Sequence, residues 1–567
     1  MLDGARLWRR AGQAVALRAA ARPDRVVLAA LTLANVALVV GLPVLAGHDL
    51  PQHLAYARIL ADYGDRRLAL AQTFTRPDGP QAYFTTYYLL ALLTRATSLM
   101  TACRLVYAAY AIALPWAIAS LVSAAGEDDG EPEWSAILGP LFVWNPVACM
   151  GFLPFMLSLP TLVFAAAALL RAGKSAWNAL LLALLCGLLV STHIVAAGLF
   201  VALAAIVFLS RPSARSAALV GLVGSSTGLA FVVWSSVGPG HLARLPPRAF
   251  ADAVAQHGLW DGAAAAIGAR WFGAAEKTGL LRATLLGCLP EVGKHLVGLS
   301  FAVAAGAAVA MRSACRSAGD CALCVLGPAT LSVPPPATRE TWRRAVLGFF
   351  VLTLLLPTSL SLPDEICLVD FRAMVVLVLY GVAAIDPRVF DAAGARRLLV
   401  LASTLVTSVW AFYLYGFSVE AEEVLSLVSR LGAEDVLLAL PFHDRSDSLD
   451  EANSVTHYLP VYHTALNAGI TSLFWGKFSH HLPLGYRPGK EPLHPPDWKP
   501  WEVSHDALDR ASWVLVEWPD ADDDDVAVVG AARVHEQLQR DFRPVECRAR
   551  WCLYRKDDRS APRVTRR

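Results

Sequence analysis

The chain has 567 residues, 56% of them apolar and 17% charged, with a mean hydropathy of +0.46. A soluble globular protein carries roughly 45–50% apolar and about 25% charged residues, so the composition excludes an ordinary soluble domain and points to lipid. The formal net charge of +2 excludes a global field that would recruit nucleic acid, and charge can act only through local placement.

The first 25 residues hold six arginines (Arg6, Arg9, Arg10, Arg18, Arg22 and Arg25), after which the 21 residues from Val26 to Ala46 carry no charge. A cleaved signal peptide has an apolar core of about 7–15 residues, so this segment reads as a retained first span. Further apolar stretches fall at 83–94, continuing past Arg95 to 103, and, without charge, at 105–125, 135–170, 176–192, 194–210, 216–237, 296–311, 345–362, 373–385 and 398–415. The stretch 135–170 is too long for one span. Trp144-Asn145-Pro146 and Gly151-Phe152-Leu153-Pro154 predict one crossing plus a re-entrant or broken half-helix.

Lys and Arg mark cytoplasmic loops. With the amino terminus inside, the basic turns are Arg95 and Arg104, Arg171 and Lys174, Arg211 and Arg215, Arg312 through Arg344, and Arg388 through Arg397. Eleven crossings follow, with outside loops at 46–82, 126–134 and 238–295. The expected architecture is an α-helical polytopic membrane protein with a cytoplasmic segment 1–25, a transmembrane domain 26–415 and a small extracytoplasmic α/β domain 416–567. In that last region an amphipathic stretch Val419–Leu431 precedes predicted strands at Asp435–Leu440, Trp513–Trp518 and Val545–Tyr554, with a helix near 527–540.

Ten cysteines are present, and most sit in apolar segments as small hydrophobes. Cys315, Cys321 and Cys324 have C-x5-C-x2-C spacing with no fourth ligand, a poor zinc pattern. Cys547 and Cys552 fall outside the cytoplasm in this topology, where a disulfide can form.

The first outside loop opens with Gly47-His48-Asp49-Leu50-Pro51-Gln52-His53 and runs into a helix ending near Tyr63-Gly64. Tyr56, Ile59, Leu60 and Tyr63 form a stripe suited to lying along a bilayer surface. Asp49 has two readings. It is a good N-cap, with Pro51 in the first turn and Gln52 completing a capping box. It is also a carboxylate at a span end, able to act as general base or, with His48 or His53, to hold a divalent cation such as magnesium or manganese. No cofactor is demanded by the sequence itself. Seven of the fourteen histidines lie between 443 and 505, among them His480 and His481, interleaved with Tyr458, Tyr462, Trp475 and other aromatics. Such a surface suits sugar recognition, and it equally suits packing on a membrane interface. His193, at the outer end of a span, reads as an interfacial histidine.

An acidic residue just after the first span, a following juxtamembrane helix, many further spans and an outside carboxy-terminal domain resemble the C-type (GT-C) glycosyltransferases. The stretches His48 to Leu54 and Gly151 to Phe155 are similar to those of poorly characterised bacterial members of that superfamily, and the likeness covers roughly the first 210 residues and the layout of the rest. The resemblance implies a bacterial inner-membrane enzyme that moves a hexosyl or pentosyl group from a polyprenyl-phosphate donor to an envelope glycan, lipid or protein. It implies Asp49 as catalytic base and a cation for the leaving phosphate, with Arg372 or Arg248 in that role. Tyr462, Trp475, His480 and His481 would contact acceptor or sugar. The superfamily's usual acidic pair is absent, since Leu50 follows Asp49, so a second acid would have to come from Glu131 or Glu133. A lipid or solute transporter, or a non-catalytic protein of envelope assembly, are the competing classes. The predicted span cores carry no Asp, Glu, Lys or Arg, which disfavours ion coupling.

Overall fold

Uncharged apolar runs satisfy their own backbone only as helices, and helices dominate the chain. The computed structural model describes residues 22–76, 83–126, 134–172, 175–237, 289–300, 302, 306, 337–358, 369–390, 393–443, 445–449, 455–475, 484–495, 499–520 and 525–557. In chain order the helical part comprises α1 (Pro23–Gly41), α2 (Leu50–Asp62), α3 (Phe84–Ala96) and α4 (Leu99–Ala125). A 3-10 helix (Trp134–Phe142), α5 (Pro146–Cys149), α6 (Leu153–Arg171), α7 (Ala176–Thr192), α8 (Ile194–Ser210) and α9 (Ala214–Val237) follow. Then come α10 (Ala337–Leu355), α11 (Val369–Ala384) and α12 (Ala393–Val428). Of the described helices, α1, α4, α6 and α12 are long and apolar enough to cross a membrane. At 1.5 Å per residue, even the 19 residues of α6 cover about 28 Å, close to a hydrocarbon core. Leu33, Val40, Leu184, Leu209, Leu401 and Phe412 are exposed on the helix flanks, as a lipid-facing surface requires.

The helix ends sort into two groups. At the basic end, Arg171 bonds the Ser120 hydroxyl and carbonyl, Arg343 bonds the Ala384 carbonyl, and Arg396 bonds the Phe390 carbonyl while lying over Trp134. At the opposite end lie the end of α1, the starts of α6 and α11, and His193, the single extended residue between α7 and α8. Arg104 belongs to this second end, because its guanidinium donates to the Leu42 and Pro43 carbonyls where α1 finishes. Arg95 likewise reaches the Ala61 carbonyl of α2. The expectation that 83–103 crosses is therefore replaced: α3 packs on α2 and stops, and α4 begins beside the end of α1. The long stretch 135–170 divides as expected into a broken piece and one full helix. Asn145 makes the break, its Oδ1 accepting from Val147 and Ala148 N–H while its Nδ2 donates to Tyr110 Oη and the Phe142 carbonyl.

α12 runs without interruption through much of the expected amphipathic stretch Val419–Leu431, and so carries the chain from the bundle into the C-terminal domain. That domain is a five-stranded mixed sheet of order β3-β2-β5-β7-β6, built from β2 (Val436–Pro441), β3 (Ile470–Thr471), β5 (Trp513–Glu517), β6 (Phe542–Arg548) and β7 (Trp551–Lys556). β2 pairs parallel with β3 and β5, whereas β7 is antiparallel to both β5 and β6. The single strand expected at Val545–Tyr554 is thus a hairpin, turning at Ala549 with positive φ and closed by a Cys547–Cys552 disulfide. Strand alternation divides the sheet. Leu437, Ala439, Leu515 and Leu553 join the core that runs through the helical bundle, while Leu438, Leu440, Val514 and Val516 face the short helix α14 (His505–Arg510) and α15 (Asp525–Asp541). α13 (Tyr462–Asn467) lies between sheet and bundle and packs on α2. A separate two-residue pairing, β1 (Phe74–Thr75) with β4 (Gly485–Tyr486), also ties the first loop to this domain.

Candidate active site where the span ends meet the C-terminal domain

Two short motifs about 100 residues apart come together here. Gly47 and Gly151 touch backbone to backbone: a Cβ on Gly151 would lie 2.7 Å from Leu50 N, and one on Gly47 would lie 2.9 Å from Gly151 Cα. Gly151 has φ +70°, a conformation that glycine adopts without strain. The Asp49 N–H donates to the Met150 carbonyl at 2.9 Å, which fixes the turn leading into α2.

Asp49 precedes α2, but its side chain makes no capping bond, and its backbone is already helical (φ −87°, ψ −8°). The capping-box reading is therefore replaced. Gln52 is occupied elsewhere, its Nε2 donating to the Leu473 carbonyl (2.7 Å) and its Oε1 accepting from the Trp475 N–H (3.0 Å). The stripe of Tyr56, Ile59 and Leu60 is buried in protein rather than laid on a bilayer, because α3 and the C-terminal domain cover it. Tyr56 packs against Tyr87 and Phe474 with ring centroids 5.5 and 4.8 Å away.

Asp49 is buried, and burial holds its carboxyl well above the ordinary carboxylate range, with the Arg372 charge pulling in the opposite direction. Arg372 lies over Phe152 and Phe155, 4.8 and 5.7 Å from the ring centroids, so the Gly151–Phe155 motif also seats the cation. Asp370, at the start of α11, accepts from the Thr358 hydroxyl (2.9 Å) and the Phe371 N–H (2.9 Å) and anchors the turn that presents Arg372. His48 Nε2 is 3.6 Å from Asp49 Oδ1, and the His48 ring stands edge-on to Tyr458 at 4.6 Å. His53 is buried, which lowers its pKa to about 3, and its Nδ1 is 2.8 Å from Tyr87 Oη. Trp475 meets the His53 ring edge-on at 6.2 Å and Tyr458 at 5.5 Å.

Of the residues expected from sequence, Asp49, His48, His53, Arg372 and Trp475 share this place. Tyr462 does not: it is fully buried in the core and offers no surface to a sugar. Glu131, Glu133, Arg248, His480, His481 and the Cys315–Cys324 cluster lie outside the described residues. Among the described residues no group of three or more His, Cys, Asp or Glu side chains is placed to hold a metal ion. Tyr87 and the clamp made by Gln52 had no sequence signal, since both depend on contacts with distant segments. Phe152 and Phe155 were visible only as part of a motif.

The arrangement gives one buried carboxylate of raised basicity, one cation within its electrostatic reach, and an aromatic wall from a second domain. Comparison with protein-family models, with curated proteins and with solved structures finds no match.

Proposed function

We propose that the protein is a polytopic membrane glycosyltransferase of the C-type kind, moving a sugar from a polyprenyl-phosphate donor to an acceptor of the bacterial cell envelope. The observation that carries this reading is Asp49, whose carboxyl does not cap its own helix and lies buried within reach of Arg372 beneath the C-terminal domain. In the reaction Asp49 takes the proton from the acceptor hydroxyl as that oxygen attacks the anomeric carbon. The bond from that carbon to the phosphate oxygen breaks, and the electron pair leaves with polyprenyl phosphate, whose charge Arg372 offsets. A carboxyl with raised proton affinity is the stronger base for this step, and a single acid suffices because the phosphate leaves as an anion without needing a proton.

The sidedness belongs to the same reading. With the amino terminus in the cytoplasm, the basic ends of α6, α10 and α12 lie inside and Asp49 lies outside. The count stays at eleven crossings, with 134–149 taking the place of 83–103.

The test is turnover in proteoliposomes supplied with polyprenyl-phosphate hexoses and pentoses, read as release of polyprenyl phosphate and appearance of sugar in lipid, glycan or protein. Asp49→Asn is expected to lower turnover by about 10²–10⁴. Undiminished turnover in that variant removes Asp49 as base, and lipid flux without covalent change replaces the transferase with a transporter.

A further inference from the structure

Gln52 is fully buried within the first turns of α2, and its amide joins two backbone groups of the C-terminal domain, the Leu473 carbonyl and the Trp475 N–H. Because one partner only accepts and the other only donates, a single orientation of the amide satisfies both. The segment it grips carries Trp475, which stands edge-on to His53 and Tyr458, and Tyr458 in turn meets His48 beside Asp49. Gln52 is three residues from Asp49, so one turn of α2 carries both the carboxylate and the bond to the second domain.

We propose that Gln52 is a positioning residue: it seats Leu473–Trp475 as one wall of the Asp49 site, which is complete only when the C-terminal domain is docked on α2. What the completed site does rests on the transferase reading; the seat itself does not. The bond pattern makes the clamp specific. Methionine fills the same volume and offers neither bond. Glutamic acid reproduces both bonds while protonated, and as a carboxylate it loses the donor and repels the Leu473 carbonyl.

The experiment uses the full-length protein in nanodiscs, with Gln52→Met and Gln52→Glu. The near-UV circular dichroism of Trp475, taken as the difference from Trp475→Phe in each background, and hydrogen exchange of the Trp475 amide are followed against pH beside donor turnover. Gln52→Met is expected to lose the Trp475 signal, exchange its amide about tenfold faster or more, and lose about tenfold in turnover. Gln52→Glu should recover all three toward acid pH, turnover being taken relative to the wild type at the same pH, and lose them as pH rises, a return that Gln52→Met does not show. A clamp that merely held the fold together would return thermal stability in Gln52→Glu toward acid pH while leaving turnover per folded molecule the same as in the wild type. An unchanged Trp475 signal in Gln52→Met, or a lost signal with unchanged turnover, overturns the proposal. Asp49→Asn separates the two claims, because retained turnover there refutes the base while the Trp475 signal still decides the seat.

Discussion

Gly47 and Gly151 pack so closely that each occupies the place of the other's side chain, with a Cβ on Gly151 falling 3.0 Å from Gly47 Cα and 2.7 Å from Leu50 N. The contact holds the turn before α2 against the turn before α6, and so places Asp49 beside the motif that seats Arg372.

Gly151→Ala should therefore be costly on two counts. Its φ of +70° disfavours any L side chain by about 1–2 kcal/mol, and the atoms met by the new methyl group are backbone that cannot swing aside. A loss of about 2 kcal/mol or more is expected in denaturant unfolding of the detergent-solubilised protein, with turnover falling about 10²-fold if Asp49 shifts by about 1 Å. Gly187→Ala in α7 is the control. A Cβ there meets nothing within 4 Å, so helix propensity alone should make it neutral or slightly stabilising, by up to about 1 kcal/mol. Equal losses in the two variants would remove the special role of the glycine contact.

The carboxyl of Asp49 and the guanidinium of Arg372 give a pH prediction with a definite sign. Burial raises the native pKa and Arg372 lowers it, so Arg372→Gln should move the ascending limb of turnover to higher pH, while Arg372→Lys leaves it near the wild type. Stability follows the same linkage. Because native Asp49 binds its proton more tightly than the unfolded chain does, its contribution is present at low pH and is lost as pH rises through the native pKa. Asp49→Asn should thus be more stable than the wild type from about pH 4 upward, the gap widening until native Asp49 is ionised. A gap that narrows with rising pH would show that the carboxylate, not the acid, is the form the fold favours.

The helical class, the broken segment around Asn145 and the sheet domain were legible because each depends on local patterns: uncharged runs, Asn-Pro and Gly-Phe-Leu-Pro breaks, and short β-rich stretches. The role of Gln52 was not. Asp49-x-x-Gln52 matches a capping box, yet the amide bonds Leu473 and Trp475, more than 400 residues away in sequence. The stripe Tyr56–Ile59–Leu60 misled for the same reason, since periodicity identifies an apolar face without saying whether lipid or protein covers it. The stretch 83–103 was apolar enough to cross, but Arg104 is tied to the end of α1 and Arg95 to the Ala61 carbonyl of α2, and those contacts reveal where α3 stops. Asp49 itself was found by its position after the first span, whereas its approach to Arg372 required two helices far apart in the chain.

His53 is expected to make the protein acid-sensitive. It is neutral in the folded state down to about pH 3 and titrates near 6.5 when unfolded, so the stability it contributes is complete above 6.5 and is lost progressively as pH falls toward 3. One proton taken up on unfolding corresponds to a slope of about 1.4 kcal/mol per pH unit inside that window. His53→Gln should flatten the fall in midpoint denaturant concentration between pH 6.5 and 4, at the expense of the bond to Tyr87, about 1 kcal/mol near neutral pH. An unchanged acid slope would mean that His53 is protonated in the native protein.

The hairpin disulfide offers a direct reading of sidedness. Cys547 is exposed on β6 while Cys552 is buried on β7, and the bridge closes a loop of sequence separation 5. Cutting so short a loop removes about 2 kcal/mol of chain-entropy stabilisation, too little to unfold a domain whose sheet is packed on both faces. Cys552→Ser should leave a folded protein with one accessible thiol on that hairpin. If the C-terminal domain lies outside the cytoplasm, a membrane-impermeant maleimide will label Cys547 of this variant, read at its own peptide, in intact cells or spheroplasts as fully as in lysates, and Cys547 of the wild type will label only after reduction. Labelling confined to lysed cells would turn the whole arrangement over, placing Asp49 and Arg372 on the cytoplasmic face.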